Sequence, residues 1–140
     1  MSRQSTGQRH VVVTGGGRGI GRAIVENFLR SGDTVTVLQR TPPSQDLADL
    51  AATLGTALRH VSTDFSDRNS VEQACAQVLA GPRVDVLVNN AGTQERHAAL
   101  DFPLADLERV MAVNFTSVFQ LCQALGAPMV ARGEGKIVNL

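Results

Sequence analysis

The chain of 140 residues contains no tyrosine and no tryptophan, and its only lysine is Lys136. Chemistry that needs a tyrosine as proton donor, or a lysine inside the fold, has no residue here to run on. Cysteine is scarce: Cys75 and Cys122 stand far apart, each on an apolar helical position. With no second cysteine or histidine at ligand spacing, they read as two buried free thiols, with no disulfide and no metal site expected. That usage suits a reducing, cytoplasmic setting. The net charge is zero, which removes the electrostatic case for nucleic acid or an anionic membrane. No apolar run approaches the length of a bilayer span, so no membrane partner is expected. Residues 1–9 are polar and lack the apolar segment of a secretory signal; they read as a frayed lead-in to one domain over residues 10–140.

What the chain does have is a β-branched run entering a glycine cluster, Val11-Val12-Val13-Thr14-Gly15-Gly16-Gly17-Arg18-Gly19-Ile20-Gly21. Ile20, Ala23, Ile24, Phe28 and Leu29 then recur at helical spacing up to Gly32. Strand, tight turn and helix together offer backbone N–H groups and the positive end of a helix dipole to a phosphate. The common Gly-x-Gly-x-x-Gly spacing is not met, because Ile20 stands where its last glycine would fall. The spacing met is Thr-Gly-x-x-x-Gly-x-Gly, through Thr14, Gly15, Gly19 and Gly21. Gly15 serves the tight turn, Gly19 and Ile20 bring N–H groups to a pyrophosphate, and Gly21 lets the helix lie close to the sheet. A glycine cluster can also be a mere turn; its place between a buried strand and a helix favours phosphate contact.

The same alternation continues to the end. His10–Thr14, Thr34–Leu38, 57–61, Val84–Val88 and Lys136–Leu140 read as strands, the third near an edge because Arg59 and His60 interrupt it. Between them lie helical patterns: Leu47, Leu50, Ala51 and Leu54 behind Ser44 as N-cap; Val71, Ala74, Cys75, Val78 and Leu79 behind an Asn69–Glu72 capping box; Leu104, Leu107, Val110 and Met111 after Pro103; and a long stretch over residues 113–132. Strict alternation means an α/β fold, a Rossmann-type doubly wound parallel sheet with right-handed crossovers, here running as far as a fifth strand. Its ligand is expected at the carboxyl ends of the strands, where strand order reverses beside strands one and four.

Thr14-Gly-x-x-x-Gly-Ile-Gly21 at the first strand and Asn89-Asn90-Ala91-Gly92 at the fourth resemble the short-chain dehydrogenase/reductase family. The resemblance continues through Asp64, Asn114 and Gly135-Lys136-Ile137-Val138-Asn139, and so covers the chain from His10 onward. It implies that Asp64 accepts a hydrogen bond from the adenine amino group, with Phe65 offering backbone beside it; the plain alternative is that Asp64 begins the following helix. Asn89 to Gly92, with Asn90, Ala91 and Gly92 as the binding residues, is expected to supply side-chain amides and a Cβ-free backbone beside the adenine and nicotinamide riboses; the plain alternative is a polar turn capping the fourth strand, and the resemblance implies that the motif also braces the sheet. The resemblance gives Asn114 a place at a helix kink, holding a water of the proton relay. Gln39-Arg40 ends the second strand, where a dinucleotide fold meets the adenosine ribose, and no carboxylate stands there to repel a 2′-phosphate. Arg40 and Arg18 converging on that point suit a phosphate dianion, so NADP(H) is expected in preference to NAD(H). The bland reading of both arginines is a solvated surface.

The resemblance implies an oxidoreductase that moves a hydride between a nicotinamide and a small carbonyl or secondary-alcohol substrate, commonly as a homo-oligomer. The family's Ser, and its Tyr-x-x-x-Lys on the next helix, have no counterpart in these residues. The chain therefore reads as the cofactor-binding half of such an enzyme, and expressed alone it is expected to be poorly soluble or loosely packed. A non-catalytic dinucleotide-binding or interaction module is the alternative. The loop Thr93-Gln94-Glu95-Arg96-His97 is expected to be a solvated polar loop near the nicotinamide end, and His10 and His60 to be structural residues without visible partners.

Overall fold

The computed structural model describes residues 7–140. Residues 1–6 of the expected lead-in lie outside the described residues. Arg9, expected to fray with them, is instead anchored: its backbone N–H and its guanidinium both donate to Asp33, and the guanidinium stands 5.7 Å from the Phe28 ring centroid.

Ten main elements alternate: β1 His10–Thr14, α1 Gly19–Arg30, β2 Thr34–Gln39, α2 Gln45–Leu54, β3 Leu58–Ser62, α3 Arg68–Leu79, β4 Val86–Asn89, α4 Leu104–Met111, α5 Ser117–Arg132 and β5 Lys136–Asn139. The strands form one parallel sheet in the order β3-β2-β1-β4-β5. After β3 the chain crosses over the sheet and returns on the far side of β1. The order therefore reverses at the β1–β4 seam, and the loops leaving those two strands splay apart there.

Both faces of the sheet are covered. Because side chains alternate along a strand, Val11 and Val13 of β1 face one way with Val35, Val37, Val86 and Val88, against Val25 and Leu29 of α1 and Leu47 and Ala51 of α2. Val12, Leu38 and Leu87 face the other way, against Val71, Cys75 and Val78 of α3 and Leu121, Leu125 and Met129 of α5. The inner strands are apolar on both faces for this reason.

Several local expectations are corrected. Asp67, not Asn69, caps α3: its Oδ1 accepts the Asn69 N–H at 2.9 Å. Ser44 occupies the N-cap of α2, but its hydroxyl accepts from Arg22 rather than capping the helix N–H groups. Ile20 belongs to the apolar stripe of α1 by spacing, yet it is 71% exposed, because the first turn overhangs the carboxyl edge of the sheet. Cys75 is buried, whereas Cys122 is only half-buried, beside Asn89 and Asn139.

α4 and α5 are joined by a π turn, Ala112–Thr116, into one continuous helix over Leu104–Arg132. This helix has 29 residues and a mean hydropathy of 1.3 in its most apolar window. It is therefore long and apolar enough to cross a membrane, contrary to the expectation of no such run; the π turn fuses two stretches that read separately. Leu121, Leu125 and Met129 of this helix pack against the sheet in the core on that face. Leu104, Leu107 and Met111 of the α4 stripe, and Phe115 and Phe119 further along the same helix, are exposed.

Candidate functional site

A cleft of about 1350 Å³ opens at the carboxyl ends of β1 to β4. Into it come Gly15, Arg18, Gly19, Ile20 and Gly21 from the loop after β1, Arg40 after β2, Asp64 and Phe65 after β3, and Asn90, Ala91 and Gly92 after β4. Sequence reasoning named all of these. Neither Thr14 nor Asn114 lines it: Thr14 is buried behind the wall, and Asn114 is exposed beside the loop after β4. Gln39, Ser66, Thr93, Arg109 and Val113 also line the cleft and were not singled out as binding residues. For Arg109 and Val113 the signal was present: both precede Asn114 on the helix that the Asn interrupts. A hollow of about 1460 Å³ along α5 and β5 contains none of the predicted site residues.

The glycine loop is held from both neighbouring strands. Gly15 has φ +66°, and its N–H donates to the Leu38 carbonyl of β2 at 2.9 Å. Gly21 is required by contact: a Cβ there would stand 2.0 Å from the Gly15 oxygen and 2.4 Å from Asn90 Nδ2. At Gly19, with φ +54°, a Cβ would meet nothing within 4 Å, so this part of the loop faces open space. Arg18, the N-cap of α1, makes no side-chain capping bond, and no acidic residue stands in the first turn. The leading N–H groups of α1 are thus directed at the cleft without a side-chain acceptor, as an anion site requires.

The wall behind the loop is a polar seam. Thr14 Oγ1 accepts the Asn90 and Ala91 N–H groups at 3.0 and 2.9 Å. Asn90 Nδ2 donates to the carbonyls of Thr14 and Gly15 at 3.2 and 3.0 Å. Asn89 Nδ2 donates to Asn139 Oδ1 at 2.8 Å, tying β4 to β5. Contrary to the expectation that they serve the riboses, the amide nitrogens of Asn89 and Asn90 turn into the protein and brace the sheet, because carbonyls and Asn139 of neighbouring segments take their hydrogen bonds, leaving backbone and the small residues Ala91 and Gly92 to face the cleft.

At the β2 and β3 end, Gln39 lies against Gly17 and donates to the Thr41 carbonyl at 2.7 Å. Among the described residues neither Arg18 nor Arg40 forms an ion pair. Asp64 Oδ1 accepts from the Ser66 hydroxyl and N–H at 2.6 and 2.9 Å. These bonds, the hydroxyl first, hold its carboxyl below the usual range against some desolvation, with help from the Arg40 charge. Asp64 is thus a carboxylate at neutral pH whose side chain holds the turn leading into α3, the N-cap itself being Asp67.

Asn114 sits in the π turn, where the ladder of helix hydrogen bonds is broken. Both ends of its amide go to one residue: Oδ1 accepts the Thr93 N–H and Nδ2 donates to the Thr93 carbonyl, each at 2.8 Å. The helix interruption read from Asn114 thus fastens the loop after β4, and a Cβ on Gly92 would stand 3.5 Å from Asn114 Oδ1.

That loop is not simply solvated. Glu95 pairs with Arg109, and His97 Nε2 lies 2.9 Å from Asp106 Oδ2. The two other histidines also have partners. His10 is buried, with Nδ1 3.1 Å from the Pro82 carbonyl and Nε2 2.7 Å from Thr36 Oγ1; His60 Nε2 is 2.9 Å from the Gln39 carbonyl.

The family model for the short chain dehydrogenases matches residues 9–140, and the chain belongs to that family. The chain is 33% identical over 129 residues to the 2-dehydro-3-deoxy-D-gluconate 5-dehydrogenase of Bacillus subtilis, covering 92% of this chain and 51% of that protein. It is 40% identical over 129 residues to the galactitol 2-dehydrogenase (L-tagatose-forming) of Cereibacter sphaeroides, covering 91% and 50%. Among solved structures, a short-chain dehydrogenase from Sphingobium yanoikuyae in complex with NADPH superposes with a TM-score of 0.86 at 26% identity, over 94% of this chain and 52% of that one. The chain thus spans about half the length of the curated relatives it matches.

Proposed function

We propose that residues 10–140 are the cofactor-binding unit of an oxidoreductase that moves a hydride between NADP(H) and a small carbonyl or secondary-alcohol substrate. The observation that carries this reading is the convergence of four loops on one cleft at the β1–β4 reversal, whose lining includes the leading end of α1, without a side-chain cap, and the guanidiniums of Arg18 and Arg40, outside any ion pair among the described residues. The N–H groups of Gly19 and Ile20 take the pyrophosphate. Arg18 and Arg40 take the 2′-phosphate, Asp64 accepts the adenine amino group with Phe65 backbone beside it, and Ala91 and Gly92 face the ribose. When bound, the nicotinamide supplies the hydride-transferring carbon. Asn114 holds the loop after β4 and is the residue of this chain assigned to the proton relay, through a water. The working protein is read as a cytoplasmic homo-oligomer.

The cofactor choice is tested by titrating the chain with NADPH and NADH. NADPH is expected to bind more tightly. Arg40→Ala removes one charge-assisted contact, about 1.5–3 kcal/mol, and weakens NADPH roughly 10- to 100-fold while leaving NADH nearly unchanged. Equal affinities, with no loss on Arg40→Ala, overturn the 2′-phosphate assignment. The alternative is a dinucleotide-binding module without chemistry. Assay of the whole protein with NADPH and simple ketones separates the two: turnover supports the enzyme, and tight cofactor binding without turnover supports the module.

A further inference from the structure

We propose that Glu95, His97 and Asp106 form a binding site for one divalent metal ion of the zinc class on the rim of the cleft. The proposal is independent of the dinucleotide reading and reverses the expectation that the chain has no metal site. One imidazole nitrogen and two carboxylate oxygens come together here, all within 4.8 Å of one another. A mixed nitrogen and oxygen set of this kind is what zinc and its neighbours take from three protein ligands, leaving a coordination position for water.

Each carboxylate divides its oxygens in the same way. Asp106 Oδ1 is ion-paired with Arg109 Nη2 at 3.0 Å, and Glu95 Oε1 accepts a hydrogen bond from that same nitrogen. The opposite oxygens turn to the imidazole: Asp106 Oδ2 is 2.9 Å, and Glu95 Oε2 4.0 Å, from His97 Nε2. The guanidinium thus orients the two carboxylates, the part an outer-shell group plays at a metal site. The His97 ring is set in turn by Phe102, edge to face at 5.0 Å and 78°. Two carboxylates against one guanidinium leave one negative charge facing the imidazole, which a divalent cation neutralises. The ligands come from two segments, the loop after β4 and α4, so the ion closes that loop onto the helix beyond the point where Asn114 already holds Thr93.

The test is calorimetric titration of the full 140-residue chain with Zn²⁺, together with visible spectra of the chain loaded with Co²⁺. One ion per chain is expected. Affinity is expected to fall at least tenfold in His97→Ala and in Asp106→Asn and to stay unchanged in His60→Ala, and the Co²⁺ bands are expected to disappear in His97→Ala. Circular dichroism matched to the parent shows that the variants remain folded, and Glu95→Gln gives a third, milder loss. The proposal is overturned by the absence of saturable binding, by equal binding in His97→Ala, or by binding that depends instead on Cys122 or His60; in any of these cases the group is an ion-pair cluster only.

Discussion

Thr14 and Asn90 are bonded twice across the seam where strand order reverses: the Thr14 hydroxyl accepts the Asn90 N–H, and the Asn90 side chain returns to the Thr14 carbonyl. This pair joins the start of the glycine loop to the start of the loop after β4.

Removing the hydroxyl at nearly constant shape isolates that link. Thr14→Val leaves the Asn90 and Ala91 N–H groups without their acceptor at a buried position. At about 1–3 kcal/mol for each unsatisfied donor, the expected loss is roughly 2–6 kcal/mol, with Thr14→Ser losing under about 1 kcal/mol. Urea midpoints of the three proteins measure this, and a Thr14→Val protein as stable as the parent refutes the role of the hydroxyl.

Two glycines of the loop are expected to behave differently. Gly21→Ala drives a methyl into the Gly15 carbonyl and the Asn90 amide, so α1 must lift from the sheet, at about 3 kcal/mol and with loss of NADPH binding. Gly19→Ala meets open space and bears only the strain of a positive φ, about 1–2 kcal/mol. Thermal unfolding together with NADPH fluorescence titration distinguishes them; equal losses in both variants contradict the packing argument.

His10 links stability to pH. Burial is the first cause pushing its pKa below the ordinary value of 6.5; the Arg59 charge adds to this, while hydrogen bonds to the Pro82 and Arg83 backbone and the Asp85 charge oppose it. The unfolded chain therefore binds a proton here before the folded chain does. Stability from His10 is complete above the unfolded value and is lost as pH falls from there toward the folded value. Urea midpoints between pH 8 and pH 5 are expected to decline, and His10→Gln to flatten the decline; an unchanged slope in His10→Gln assigns it elsewhere.

The two thiols should separate chemically. Desolvation, with the Glu72 charge behind it, pushes the Cys75 thiol up to about 11, and its side chain is buried under α3. Cys122 is half-buried and borders the open hollow along α5. Iodoacetamide at pH 8, followed by peptide mass spectrometry, is expected to label Cys122 in the folded chain and Cys75 only after denaturation. Equal labelling shows that α3 opens readily.

The parts of the site that were legible in the sequence are those set by local backbone demands. Gly15, Gly19 and Gly21 announce a turn and a close approach whatever packs around them, and Asn114 announces a break in a helix because its side chain competes for backbone groups. Asn69 misled because both it and Asp67 are good caps, and only the direction of the chain leaving β3 decides that Asp67 stands first. The partners of His10 were not legible because Thr36 and Pro82 approach it from other segments of the chain.

The alternation of β-branched runs with 3.6-residue stripes was enough, without coordinates, to specify a doubly wound sheet and to put the glycine loop, Asp64 and Asn90 at strand ends, because periodicity and turn chemistry act over a few residues. Tertiary structure alone decided that the Asn89 and Asn90 amides face inward, that Ile20 is exposed, and that Glu95, His97, Asp106 and Arg109 meet. Each of these depends on which groups from distant segments compete for the same hydrogen bonds and the same volume, and that competition exists only once the chain has closed on itself.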